Sequence, residues 1–177
     1  MKDLQRNWNV FWNRSPAVKA SWSKQRIQRV IDPYLDPGKS ILDAGCGSGF
    51  FSAYFCDKGL NATAVDYADS ALSLTQEMTS NRARIVKADM FSESFRQEHA
   101  GMFDIVFSDG LLEHFEESGQ NKLLSNFAGI LKSQGLLITF VPNLFSLWTL
   151  IRPLLMPGIE EKPFTIKRLI ALNRRNG

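Results

Sequence analysis

The segment Ile41-Leu-Asp43-Ala-Gly45-Cys46-Gly47-Ser-Gly49-Phe50 sets three glycines at alternate positions, just after a hydrophobic run that closes on a carboxylate. Glycine lets a backbone turn sharply and approach a ligand closely, because no Cβ stands in the way. Dinucleotide-binding loops use the longer G-x-G-x-x-G, with pyrophosphate at the helix N-terminus. Here Phe50 stands where the third glycine of that pattern falls, and Asp43 lies two residues before the first glycine. An acid beside the loop suits a ligand carrying an ammonium or another positive charge better than a pyrophosphate. Asp43 has a plainer alternative as an acceptor for the loop itself. Cys46, with no base placed near it, reads as a small buried residue lending its backbone amide rather than as a nucleophile.

Glu113 and His114, just after the fourth expected strand, are the close acid and imidazole pair in reach of the site by sequence, suited to taking a proton from an acceptor hydroxyl or acidic carbon. For His114 a structural role, satisfying backbone groups after a strand, is favoured over that of a base. His99 falls in a polar stretch and reads as solvated. Cys46 and Cys56 are ten residues apart, which is not a paired metal-ligand spacing, so no metal site is expected.

These residues need elements to place them. Apolar runs of strand length alternate with stretches of helical period, which implies βαβ units and a doubly wound, mostly parallel α/β sheet with helices on both faces. The expected strands are 40–43, 62–66, 84–87, 103–108 and 135–141; the expected helices are 17–34, 49–58, 70–79, 92–97, 119–131 and 165–174. Ligands of such sheets gather at the carboxyl ends of the strands. Ser108 and Asp109 are therefore candidates for ligand contact, while Asp104, at the start of its run, reads as structural. In the first helix Trp22, Ile27, Val30 and Ile31 are the expected apolar positions. An aromatic cluster of Trp8, Phe11 and Trp12 precedes it, either as a lid or as packing against the sheet.

The 177 residues are 44% hydrophobic and 22% charged, the composition of one ordinary globular domain. Disorder and collagen-like repeats are excluded. The net charge of +3 conceals a division: residues 1–30 hold seven Lys/Arg against one Asp, 152–177 hold six against two Glu, and the middle is acidic, at −7. No long basic run appears, so solvated helix faces are favoured over a nucleic-acid surface. Lacking a secretory signal and paired cysteines, the chain is expected in a reducing cytoplasmic setting. The most apolar stretch, 144–156, is broken by Arg152 and Pro153 and is too short to span a bilayer.

The glycine segment resembles motif I of the class I S-adenosylmethionine-dependent methyltransferases, and the motifs that follow keep that family's order and spacing. Ala62-Thr-Ala-Val-Asp66-Tyr67 resembles the end of its second strand, which implies that Asp66 accepts from both ribose hydroxyls. Lys87-Ala-Asp89-Met90 resembles the third-strand motif, in which a carboxylate takes the adenine amino group and an apolar neighbour packs on the ring. Phe103 to His114 resembles the fourth, beneath the methyl donor, and Leu131 to Pro142 the fifth. The resemblance implies a Rossmann-like fold, S-adenosylmethionine as cofactor, and cofactor contacts from Asp43, Gly45, Cys46, Gly47, Gly49, Asp66, Tyr67, Asp89, Met90, Ser108 and Asp109, with Glu113 and His114 as the catalytic pair. The Glu113-His114 run is also similar to the E-x-x-E-H site of quinone-type O-methyltransferases, with Gly110 in place of the first Glu; a metal site there would need Asp109 to substitute.

These likenesses divide the chain into an N-terminal helical and aromatic cap (1–36), a cofactor-binding core (37–143), and an apolar acceptor-side insertion with a last helix (144–177). The implied acceptor is a small apolar, quinone-like or lipid-like molecule. Phe145, Trp148, Leu150, Ile151, Leu154 and Leu155 are expected to line its pocket, and 144–156 is the alternative contact for a membrane or protein partner. On the family's pattern the C-terminal β-hairpin is expected to be absent, so strand five is expected as an exposed edge, with weak cofactor binding or a homodimer as the consequence. Two other readings stay open: a non-catalytic S-adenosylmethionine-binding or interaction module, and an NAD(P)-dependent oxidoreductase, which the short glycine spacing disfavours.

Overall fold

The computed structural model describes residues 8–13, 21–146, 149 and 161–176. Five parallel strands form its sheet: β1 (Ser40–Ala44), β2 (Asn61–Asp66), β3 (Arg84–Lys87), β4 (Phe103–Asp109) and β5 (Leu131–Phe140), in the spatial order β3-β2-β1-β4-β5. The helices are α1 (8–13), α2 (Trp22–Ile31), α3 (Phe50–Asp57), α4 (Asp69–Met78), α5 (Glu93–Glu98), α6 (Glu117–Ile130) and α7 (Ile166–Asn176). The order reverses at β1, where β2 and β4 flank it, and such a switch point opens a crevice at the carboxyl ends of the strands.

Successive side chains of a strand point to opposite faces, and the sequence supplies apolar residues to both. Ile41, Ile105 and Phe107 meet Ile31 of α2 and Phe51 and Phe55 of α3 on one face. Leu42, Val65 and Val106 meet Phe95 of α5, Leu123, Leu124 and Phe127 of α6 and Leu172 of α7 on the other. Each fully buried side chain of this size contributes roughly 1.5–3 kcal/mol.

The far end of the sheet is tied by Asp104, whose carboxylate accepts from Ser40 N (2.8 Å), Ser40 Oγ (2.7 Å) and Lys132 Nζ (2.7 Å). The Lys132 ammonium and then the Ser40 donors hold this carboxyl well below its ordinary range. Asp104 is structural, as its place at the start of the strand implied.

Several expectations are corrected. Helix α2 ends at Ile31, and Asp32–Tyr34 tightens into a 3₁₀ turn because Pro33 has no N–H to donate; residues 17–20 of the expected helix lie outside the described residues. Trp22 and Val30 do not face the core: Trp22 is 72% exposed, with the Arg26 guanidinium 4.8 Å from its ring centroid. Strand β5 begins at Leu131 rather than 135, because Gln134 adopts φ +64° and the pairing steps from Phe103–Leu131 to Ile105–Leu136 across an irregularity. His99 is buried, not solvated; its Nδ1 lies 2.9 Å from Phe95 O, between the rings of Phe95 and Phe103. In α7 Leu172 is buried but Ile166 and Ile170 are exposed, while Thr165 caps the helix by accepting from Arg168 N. Among the described residues strand β5 lies at the sheet edge, as expected.

Gly49 shows why the loop needs glycine. It starts α3 at φ +75°, and a Cβ there would stand 2.6 Å from Thr75 Cα of α4. Gly49→Ala should therefore lower stability by at least about 2 kcal/mol, from left-handed strain together with backbone displacement; a melting temperature within a degree of wild type would contradict this packing.

Candidate functional site

The glycine loop leaves β1 and is pinned to the end of β2. Gly45 N and Cys46 N both donate to Val65 O, at 2.8 and 3.1 Å. Asp66, the last residue of β2, accepts from Gly47 N through Oδ2 (3.2 Å) and from Tyr67 N and Ala68 N through Oδ1 (2.8 and 2.9 Å). Burial outweighs these three amides and raises its pKa. Gly47, at φ +54°, lies under the Trp12 indole of α1; a Cβ on it would stand 2.5 Å from that ring. The Cys46 thiol accepts from Thr75 Oγ1 (3.3 Å), and burial first, then Asp43 and Asp66, push its pKa well up.

Asp43 is next to last in β1 and Asp109 is last in the neighbouring strand β4. Asp43 accepts from Ser52 Oγ of α3 at 2.5 Å. Burial pushes its carboxyl up to about 7, opposed by the Ser52 hydrogen bond and reinforced by Asp109 and Asp66. Burial likewise lifts Asp109 to about 6, opposed by the charge of Lys24. Sequence reasoning missed Lys24, which sits on the first turn of α2 with its ammonium 4.3 Å from the Phe50 ring centroid. Its place beside a loop 20 residues away is a property of the fold.

Lys24, Asp43, the Gly45–Gly47 turn, Asp66 and Asp109 line one cavity of about 920 Å³, within the usual range for ligand sites. Of the residues picked from sequence, Asp43, Gly45, Cys46, Gly47, Asp66, Tyr67, Asp89, Met90, Asp109, Glu113 and His114 border it. Gly49 and Ser108 do not. Gly49 packs against Thr75, and the Ser108 hydroxyl is fully buried, 3.2 Å from Thr139 Oγ1 of β5. Asp89 accepts from Phe91 N at 2.9 Å, whereas the N-cap of α5 is Ser92, accepting from Phe95 N.

At the other end of the cavity Glu113 and His114 occupy a 3₁₀ turn (Leu112–His114), with Glu113 buried. Trp8 of α1 meets the His114 ring edge-on, with centroids 5.0 Å apart. Glu161 joins them, although no sequence signal pointed to it. Lys162 N donates to Glu113 O (2.7 Å), and the Lys162 ammonium pairs with Glu116, which brings the distant segment alongside. One ligand atom from each of Glu113, His114 and Glu161 lies within 4.8 Å of the others, an oxygen and imidazole set able to share a divalent cation. The third member is Glu161 rather than Asp109. Of the stretch expected to line the acceptor pocket, Phe145 is 84% exposed and does not border the cavity, and Trp148, Leu150, Ile151, Leu154 and Leu155 lie outside the described residues. Among the described residues no helix is long and apolar enough to cross a membrane.

Asp43 gives a test of this electrostatic picture. Its folded pKa of about 7 exceeds the unfolded value of about 3.9, so the folded state holds the proton more tightly, and stability falls as pH rises from about 4 to 7. Asp43→Asn should raise the melting temperature at pH 8, by the equivalent of a few kcal/mol to order of magnitude, and leave it little changed at pH 4. A variant less stable than wild type at pH 8 would refute the assignment.

The family described as "Methyltransferase domain" matches residues 41–135. Among curated relatives, a ubiquinone biosynthesis O-methyltransferase of Aromatoleum aromaticum is 33% identical over 78 residues, 44% of this chain and 33% of that protein. A protein of the same name from Coxiella burnetii is 25% identical over 135 residues, 75% of this chain and 56% of that one. The matched segments thus span a third to just over half of these relatives. Among solved structures, an S-adenosylmethionine-dependent methyltransferase of Archaeoglobus fulgidus superposes with a TM-score of 0.72 at 24% identity, covering 86% of this chain and 66% of that chain. Magnesium protoporphyrin IX methyltransferase of Synechocystis, with bound S-adenosylhomocysteine, gives 0.73 at 17% identity, covering 99% and 88%.

Proposed function

We propose, from the premise that this chain belongs to the methyltransferase domain family, that it binds S-adenosylmethionine in the 920 Å³ cavity and methylates a small, apolar or quinone-like acceptor. The observation that carries the reading is the convergence of Asp43, the Gly45–Gly47 turn, Asp66 and Asp109 on one cavity at the switch point of the sheet. The residues fit such a cofactor: Asp66 presents a carboxylate held by three amides, and Met90 offers a buried apolar neighbour beside Asp89.

The cofactor supplies an activated methyl on a sulfonium, so the chain has mainly to orient the acceptor and exclude water. Trp8, Phe11, Phe91, Phe115 and Phe140 give the cavity an aromatic wall suited to an apolar ring. Glu113 and His114, at the same end, are placed to take the proton of an acceptor hydroxyl. The ubiquinone O-methyltransferase names of the partial relatives support a quinone-like acceptor.

Calorimetry with S-adenosylmethionine, S-adenosylhomocysteine and NAD tests the reading. Binding of the two adenosyl compounds, lost in Asp66→Ala, is expected; binding of NAD alone would mean an oxidoreductase, and no binding at all an interaction module. Because Asp43 and Asp109 titrate near 7 and 6 and a cationic ligand favours their charged forms, affinity for S-adenosylmethionine should rise from pH 5.5 to pH 7.5. Glu113→Gln or His114→Asn should lower turnover of an accepted phenol by about 10²- to 10⁴-fold with cofactor affinity intact. Unchanged turnover in both would remove the pair from catalysis.

A further inference from the structure

The turn that carries Glu113 and His114 is gripped by a side chain that none of the sequence motifs contains. Gln120, in the first turn of α6, is fully buried. Its Nε2 donates to Leu112 O at 3.1 Å and to Phe115 O at 2.8 Å, the carbonyls on either side of the pair. Its Oε1 accepts from the Arg168 guanidinium of α7 at 3.2 Å. The amide nitrogen is thus committed to the turn and the amide oxygen to the last helix. Between the two gripped carbonyls, Glu113 O accepts from Lys162 N at 2.7 Å, so the backbone of the turn is held from two segments.

Arg168 decides which way the amide points. A guanidinium has only donors, so it takes the oxygen and leaves the nitrogen for the two carbonyls. With the amide turned over, its oxygen would face two carbonyl oxygens and the grip on the turn would be lost. Arg168 is itself fixed in place. Its backbone N donates to Thr165 Oγ1 at 3.2 Å, and its guanidinium lies 4.6 Å from the ring centroid of the buried Phe164. Further along, α7 is fastened to α6 by Arg175 to Glu117 at 2.9 Å and by Asn176 to Asn121 at 2.8 Å. A buried amide costs free energy unless its polar atoms are paired, a demand that an apolar side chain at the same place would not make. What the paired amide adds is a defined geometry for the groups it joins.

We infer that Gln120 and Arg168 are positioning residues for methyl transfer: they hold the Glu113–His114 turn in register with the acceptor end of the cavity, and they bring α7 into the working of a site it does not border. The inference rests on the proposed role of Glu113 and His114 in taking the acceptor proton. A glutamine that served stability alone would change the melting temperature, and would leave turnover per folded molecule and the surroundings of His114 as they are.

The test compares wild type with Gln120→Met, which keeps an unbranched side chain but has no amide, and with Arg168→Met and Arg168→Lys, each shown by thermal melts to be folded at the assay temperature. The chain has two histidines, so the imidazole C–H signals of His114 can be read by NMR beside those of His99 as an internal reference, with His114→Asn giving the assignment. Gln120→Met and Arg168→Met should each shift the His114 signals and leave those of His99 in place. Each should also lower kcat for the accepted phenol by about 10- to 100-fold, the cost of a slight misplacement, while KM for S-adenosylmethionine and affinity for S-adenosylhomocysteine stay within about two-fold of wild type. Arg168→Lys, which retains a donor for Gln120, should keep most of the turnover. The double Met variant should lose no more than either single one, because both act through one amide. If Gln120→Met fails to fold, Arg168→Met, altered at the half-buried end of the same contact, decides the matter. Unmoved His114 signals, wild-type kcat, or a loss of kcat matched by an equal loss of S-adenosylhomocysteine affinity would overturn the positioning role while leaving the reading of the catalytic pair intact. Full turnover in both Glu113→Gln and His114→Asn would overturn that reading and the positioning role together.

Discussion

The carboxylate of Asp66 holds the site together. A single side chain at the end of β2 accepts from Gly47 in the loop after β1 and from Tyr67 and Ala68 in the turn that leads into α4. Neighbouring strands already share a ladder, but their loops do not; this carboxylate makes the two loops one surface. Three amides converging on one group offset much of the cost of burying it, and without them a charge so enclosed would be expelled or protonated. The arrangement of Gly45, Cys46 and Gly47 around Val65 O repeats the constraint through the backbone.

The same fold puts carboxylates where water is scarce. Asp43 and Asp109 lie at the carboxyl ends of adjacent strands that are apolar on both faces, so they are drawn toward the sheet's dry interior as the crevice opens beside them. A site of this kind trades stability for affinity: the groups that would greet a cation are strained without one. The opposite pole of the sheet shows the contrast. Asp104, on the same strand as Asp109, meets Ser40 and Lys132 near solvent and is ionised without difficulty.

Much of this was legible in the residues. Apolar runs such as Ile105-Val-Phe107 located every strand, and the Asp43-to-Gly49 pattern located the cavity, because short-range steric rules govern both. The misses have physical reasons. Lys24 and Glu161 reach the cavity from segments remote in sequence, and nothing local marks a lysine on a helix or a glutamate in a loop as facing inward. Ser108 followed the rule that strand ends face the ligand, but its side chain points toward Thr139 because neighbouring positions alternate between faces. Trp22 was read as core from its type alone, although a large aromatic can be satisfied at the surface by a stacked guanidinium. His99 was read as solvated from its polar neighbours, yet one contact to a carbonyl and two phenyl faces suffice to bury it.

The short helix α1 touches both halves of the cavity at once. Trp12 covers the glycine turn, Trp8 leans on His114, and Asn9 accepts from Ser70 at the start of α4. A molecule filling either half must alter the surroundings of an indole, and the two indoles lie 6.2 Å apart in a near-parallel stack. Filling of the cavity is therefore expected to register in the protein's own tryptophan emission, with no label attached.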